Sequence, residues 1–102
     1  PLHETDAIEF KNKLNTLRTK IDVLDHQLVD TLGKRMGIAD QIGALKKSNN
    51  IAILQTKRWN DILNKMILEG EENKLSEAFI LKIYKAIHQE SINHQNKLHQ
   101  DQ

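Results

Sequence analysis

The chain has 102 residues, a length for one domain with one core. Its 15 Lys and Arg residues are balanced by 14 Asp and Glu, for a formal charge of +1, and only 4% of its residues are aromatic, which argues against a dedicated nucleic-acid or membrane-surface binder. With no cysteine there is neither a disulfide nor a thiol nucleophile nor thiolate-held metal, a composition compatible with the cytoplasm, and no apolar run approaches the roughly 20 residues of a membrane helix. No signal-peptide pattern opens the sequence, and Pro1 in place of Met points to processing or to excision from a longer polypeptide.

Leu, Ile, Lys, Gln, Glu and Asn dominate, Pro1 is the only proline, and Gly33, Gly37, Gly43 and Gly70 are the only glycines, so the expected fold is all-α. Leu14, Leu17, Ile21, Leu24 and Leu28 recur at spacings of three and four, and the frame continues through Thr31 and Arg35 to Ile38, Ile42 and Leu45. This predicts one long helix that begins between Thr5 and Glu9 and ends near Lys47, before a Ser48-Asn49-Asn50 connector. Ile53, Leu54, Ile62, Leu63, Met66 and Ile67 predict a second helix from about Ile53 to Glu69, with Gly70 as its stop. A turn is expected over Glu71 to Leu75, then Ser76 as the N-cap of a third helix reaching about His99, one face of which carries Ile80, Ile83, Ile87, Ser91, Gln95 and Leu98. The whole of 1–102 reads as a single helical domain, with 1–8 and 99–102 as frayed ends.

A helix of about 40 residues would extend some 60 Å, far beyond a compact chain of this length, so its apolar seam needs a partner. Two antiparallel copies covering each other's seam predict an intertwined homodimer. A plain coiled-coil interaction module explains the same heptads, and the polar exceptions decide between them.

Arg35 sits in the seam, where an unpaired guanidinium would be costly, so an anion is expected to meet it. Lys46 lies eleven residues on, about 20° around the helix and roughly 16 Å along it, within reach of the same small ligand, with Ile42 on the same stripe. Ser91 and Gln95 interrupt the third helix's apolar row and place a hydroxyl and an amide where packing alone would favour Leu or Ile. Arg18, about 42 Å from Lys46 on a straight helix, reaches such a site only from a second chain. Arg58 adds a fourth cation on the second helix. Each residue alone is explained by a solvated surface or a buried polar network; together they have the composition of a small-dicarboxylate site. His88, His94 and His99 lack the i, i+4 spacing of helical metal ligands, so no histidine metal site is expected.

These residues resemble the all-helical chorismate mutases, in particular their small bacterial intertwined-dimer class. The resemblance covers about residues 11 to 98. It rests on Leu14-x-x-Leu17-Arg18-x-x-Ile21-Asp22-x-x-Asp25-x-x-Leu28, on Arg35 followed by Ile42-Gly43-x-x-Lys46, on Arg58, and on Ser91-x-x-x-Gln95. It implies that Arg35 and Lys46 of one subunit and Arg18 of the other hold the two carboxylates of chorismate. It also implies the Claisen rearrangement of chorismate to prephenate, which needs no metal or cofactor, with Lys46 and Gln95 as donors to the ether oxygen and Arg18, Arg35, Ile42, Gln55, Arg58, Trp59 and Ser91 binding the substrate. The pattern departs at Gln55 and Trp59, where the family often carries acidic residues, the second commonly a glutamate that contacts the ring hydroxyl. Gln55 offers an amide or its backbone there, but an indole N–H cannot accept a hydrogen bond. The alternatives on this scaffold are an isochorismate pyruvate-lyase and a weakly active regulatory or docking domain fused to another shikimate-pathway enzyme.

Overall fold

The computed structural model describes residues 4–53 and 55–100, with the side chains of 98–100 outside the description. Leu54 and the side chain of Leu98, both expected on apolar faces, thus lie outside the described residues. The fold is all-α: α1 spans Glu4–Ser48, α2 Thr56–Glu72 and α3 Glu77–Gln100, and no strand occurs among the described residues. The chain divides into two compact units, the first ending at Arg35 and the second beginning at Met36.

In the first unit α1 is regular helix from Glu4 onward, one residue ahead of the predicted start. Glu4 and Asp6 in its first turn complement the partial positive charge of the helix start. Thr16 and Thr19 turn their hydroxyls back to the carbonyls of Asn12 and Asn15, and Lys34 pairs with Asp30 one turn away. The predicted seam is bare within this chain: Leu17, Ile21, Leu24 and Leu28 are all more than half exposed, and only Leu14 among these five is partly covered.

The second unit holds the core. On α1 the buried residues are Met36, Ala39 and Gly43, a stripe offset from the predicted Ile38, Ile42 and Leu45 row, which remains exposed. The face that turns inward is therefore the one bearing small and flexible side chains, which let another helix approach closely. On α3 the expected face does turn inward: Ile80, Ser91 and Gln95 are buried, and Ile83 and Ile87 are half-buried. On α2, Ile62, Leu63, Met66 and Ile67 are half-buried, at the helical spacing read from the sequence.

Both connections end their helix in the same way. After α1, Asn50 takes a left-handed conformation (φ 55°), its N–H donates to the Lys47 carbonyl, and the Ile51 N–H donates to the Lys46 carbonyl at 2.9 Å. After α2, Lys74 does the same (φ 62°), with bonds from its N–H to the Glu71 carbonyl and from the Leu75 N–H to the Gly70 carbonyl at 2.8 Å. These are Schellman closures, which satisfy carbonyls that a helix end leaves unpaired. Gly70 therefore does not stop α2 as predicted. It lies inside the helix, buried, because a Cβ there would come within 2.6 Å of the Ile80 side chain. The Ser76 cap is present as expected, its Oγ accepting the Phe79 N–H at 3.2 Å.

Lys74 bears a Cβ in a conformation that favours glycine. Lys74→Gly is expected to stabilise the chain by about 0.5–1 kcal/mol, the relief of left-handed strain less the entropy gained by an unfolded glycine, measured by urea denaturation.

Candidate active site

Lys46 stands in the last turn of α1 and meets the chain that follows it twice. Its carbonyl accepts the Ile51 N–H in the Schellman closure, and its Nζ donates to the Ile53 carbonyl at 2.8 Å. The same ammonium donates to Oε1 of Gln95 on α3 at 3.2 Å. A lysine ammonium has three protons and no acceptor, so it dictates the amide's orientation: Oε1 faces Lys46, and the Nε2 donors face away from it. Removal from water disfavours the charged form and lowers the Lys46 pKa below that of an ordinary lysine.

Gly43 sets the spacing of this pair. A Cβ at Gly43 would lie 3.0–3.2 Å from Cγ, Cα and Cβ of Gln95, too close without a shift of the α3 backbone. The absent side chain thus admits Gln95 to α1. One turn back along α3, the buried Ser91 hydroxyl donates to Sδ of Met36 at 3.7 Å. Farther back, His88 stacks on Trp59 of α2, with ring centroids 4.1 Å apart and planes inclined by 21°. Beside Gln95, His94 brings Nδ1 to 2.8 Å from Oδ1 of Asp40 on α1, while Nε2 lies 3.5 Å from Oε1 of Glu90.

Of the nine residues expected from the sequence, the second unit brings Lys46 and Gln95 into direct contact and buries Ser91 on the same α3 face as Gln95. Gln55 precedes α2 with an exposed side chain that makes no capping bond, Arg58 is exposed, and Trp59 is half-buried against His88. Ile42 is 43% exposed. Arg18, exposed, and Arg35, half-buried, belong to the first unit. Sequence reasoning did not find Met36, Asp40, His88 or His94 as partners of this region. Asp40 and His94 are 54 positions apart, a separation with no local pattern to mark it.

The described residues thus form an all-helical protein of three helices and no strand, in which an ammonium on α1 holds a buried amide on α3. The chain belongs to the chorismate mutase type II family, whose model matches residues 17–96. It is 32% identical over 88 residues to the bifunctional chorismate mutase/prephenate dehydratase of Buchnera aphidicola subsp. Schizaphis graminum, covering 86% of this chain and 23% of that protein. It is 28% identical over 90 residues to the T-protein of Haemophilus influenzae, covering 88% of this chain and 24% of that one. To the 4-amino-4-deoxychorismate mutase of Streptomyces venezuelae it is 26% identical over 77 residues, and here the alignment spans 76% of this chain and 75% of the relative. The chain thus spans about a quarter of the length of the bifunctional relatives and most of the length of the third.

A lowered pKa means that Lys46 gives up its proton at a lower pH than an ordinary lysine as the solution is made alkaline. Nuclear magnetic resonance of its side-chain carbons is expected to show that early titration, and Gln95→Leu, which removes the amide but leaves the Ile53 carbonyl, is expected to lower the Lys46 pKa further.

Proposed function

We infer that the chain catalyses the Claisen rearrangement of chorismate to prephenate. The observation that carries this reading is the Lys46–Gln95 contact, made within a chain that belongs to the chorismate mutase type II family. In this rearrangement the ether carbon–oxygen bond breaks as a new carbon–carbon bond forms within the same molecule, and the ether oxygen gains negative charge on the way. No nucleophile or proton transfer is required, so catalysis is positioning plus stabilisation of that charge. Two of the Lys46 protons are engaged by the Ile53 carbonyl and Gln95 Oε1, leaving a third for the ether oxygen. The Gln95 Nε2 supplies a second, neutral donor. Their mutual bond sets both before substrate arrives, which saves reorganisation in the transition state.

The remaining roles follow the family pattern. Arg35, and Arg18 from a second copy, bind the carboxylates, with Arg58 as a further cation and Ser91 as a hydroxyl partner. Ile42 lines the site, Gln55 offers its amide to the ring hydroxyl, and Trp59 limits the pocket without accepting a hydrogen bond. The uncovered Leu17, Ile21, Leu24 and Leu28 seam supports a homodimer, since so long an apolar row is unfavourable in water. The bifunctional relatives support covalent linkage to a second shikimate-pathway activity. A cytoplasmic setting goes with this reading; among the described residues no helix is long and apolar enough to cross a membrane.

Incubating the purified chain with chorismate and following proton NMR is expected to show prephenate, with isochorismate as a parallel substrate. Pyruvate and salicylate from isochorismate would replace this reading with a lyase, and no product from either would replace it with a binding or docking domain. Lys46→Ala and Gln95→Ala are each expected to lower kcat by about 10²–10³.

The shared site is tested by refolding Arg18→Ala chains together with Lys46→Ala chains. Mixed dimers are expected to recover activity, because one of their two sites keeps both residues; mixed dimers without recovery would overturn the contribution of the second copy.

A further inference from the structure

We propose that Asp40 and His94 are a positioning pair, which holds Gln95 in the place from which it acts. This rests on the chorismate mutase reading. Besides the Ser91–Met36 bond, which lies one turn away on the same face of α3 as Gln95, three contacts join α1 to α3 at Gln95 and its neighbour, and they differ in what they can fix. Lys46 ends in a flexible four-carbon stem, and its 3.2 Å bond tolerates rotation of α3 about its own axis. Gly43 sets how near α3 comes but has no side chain to key that rotation. Asp40 and His94 are short, stiff side chains joined at 2.8 Å, and His94 directly precedes Gln95 in the chain. A helix advances about 100° per residue, so the His94 and Gln95 bonds leave α3 in different directions, and two such ties together fix its rotation.

The ring is itself held from two sides. The carboxylate of Asp40 can only accept, so the Nδ1–H of His94 donates to it, and Glu90 lies 3.5 Å from Nε2 on the same helix. His94 is 35% exposed and Asp40 45%, so neither is needed to fill the core. That combination, a short bond beside the site made by side chains the core does not require, fits a residue that acts through its neighbour.

The test compares the unaltered chain with Asp40→Ala, His94→Ala, the double variant and Asp40→Asn. The last keeps an oxygen that can accept the Nδ1–H. Circular dichroism is expected to show the same helix content in all five. With chorismate, each alanine variant is expected to lose about tenfold in kcat while KM changes less than about twofold, because the displaced donor acts on the transition state. The double variant is expected to lose no more than either single one, and Asp40→Asn to keep more than about half of kcat. Unchanged kcat in His94→Ala, or an Asp40→Asn loss equal to that of Asp40→Ala, would overturn the proposal.

If the unaltered chain makes no prephenate, the reading of function fails by itself, and the positioning claim is decided by the proton–nitrogen spectrum of the Gln95 side-chain amide. Its resonances are expected to move toward those of a solvent-exposed glutamine in His94→Ala and Asp40→Ala but not in Asp40→Asn. Resonances unmoved in His94→Ala would overturn the proposal independently of any activity.

Discussion

The ammonium of Lys46 ties the second unit together. As a donor-only cation it must find oxygen when it leaves water, and it finds two: the Ile53 carbonyl in the connector and the Gln95 amide on α3. One residue therefore joins the end of α1, the chain leading into α2, and the C-terminal part of α3. Its backbone takes part as well, since the carbonyl of Lys46 accepts the Ile51 N–H that closes the helix. Desolvation of the charge is the cost of this arrangement, and the lowered pKa records it.

Small residues make that arrangement possible. Gly43 brings the α3 backbone close enough for Gln95 to reach Lys46, and Gly70 lets Ile80 approach α2 at the opposite end of the connection between α2 and α3. Within a helix each glycine is unfavourable by about 1 kcal/mol relative to alanine, and close approach is what offsets it. Gly33 and Gly37 differ, since a Cβ at either would meet nothing within 4 Å in this chain. Close approach of another helix of this chain does not account for them.

The two units use α1 differently. Leu17, Ile21, Leu24 and Leu28, all before Arg35, are left in solvent, whereas from Met36 a stripe of methionine, alanine and glycine is covered. Heptad spacing reports that a face is apolar but says nothing of which partner covers it, or whether that partner is the same molecule. This is why Leu17 to Leu28 and the Ile38, Ile42 and Leu45 row were legible as one seam, whereas the Met36, Ala39 and Gly43 stripe that this chain itself covers was not. The true inward stripe is weakly apolar, and periodicity passes over residues whose contribution is their small size.

Three helices, the Ser76 cap, and Ser91 and Gln95 as buried polar groups follow from local spacing and composition, because helix propensity, capping chemistry and a break in an apolar row act over a few residues. Spacing singled out Lys46 and Gln95 as polar residues worth placing together, but not their direct contact or the direction of the amide, which depends on an ammonium 49 positions away. The tertiary structure alone decided that Gly70 belongs inside α2, that Trp59 lies against His88, and that Asp40 meets His94. Each of these depends on two segments coming together across a turn or a whole helix. No pattern within either segment encodes a partner that only the folded chain supplies.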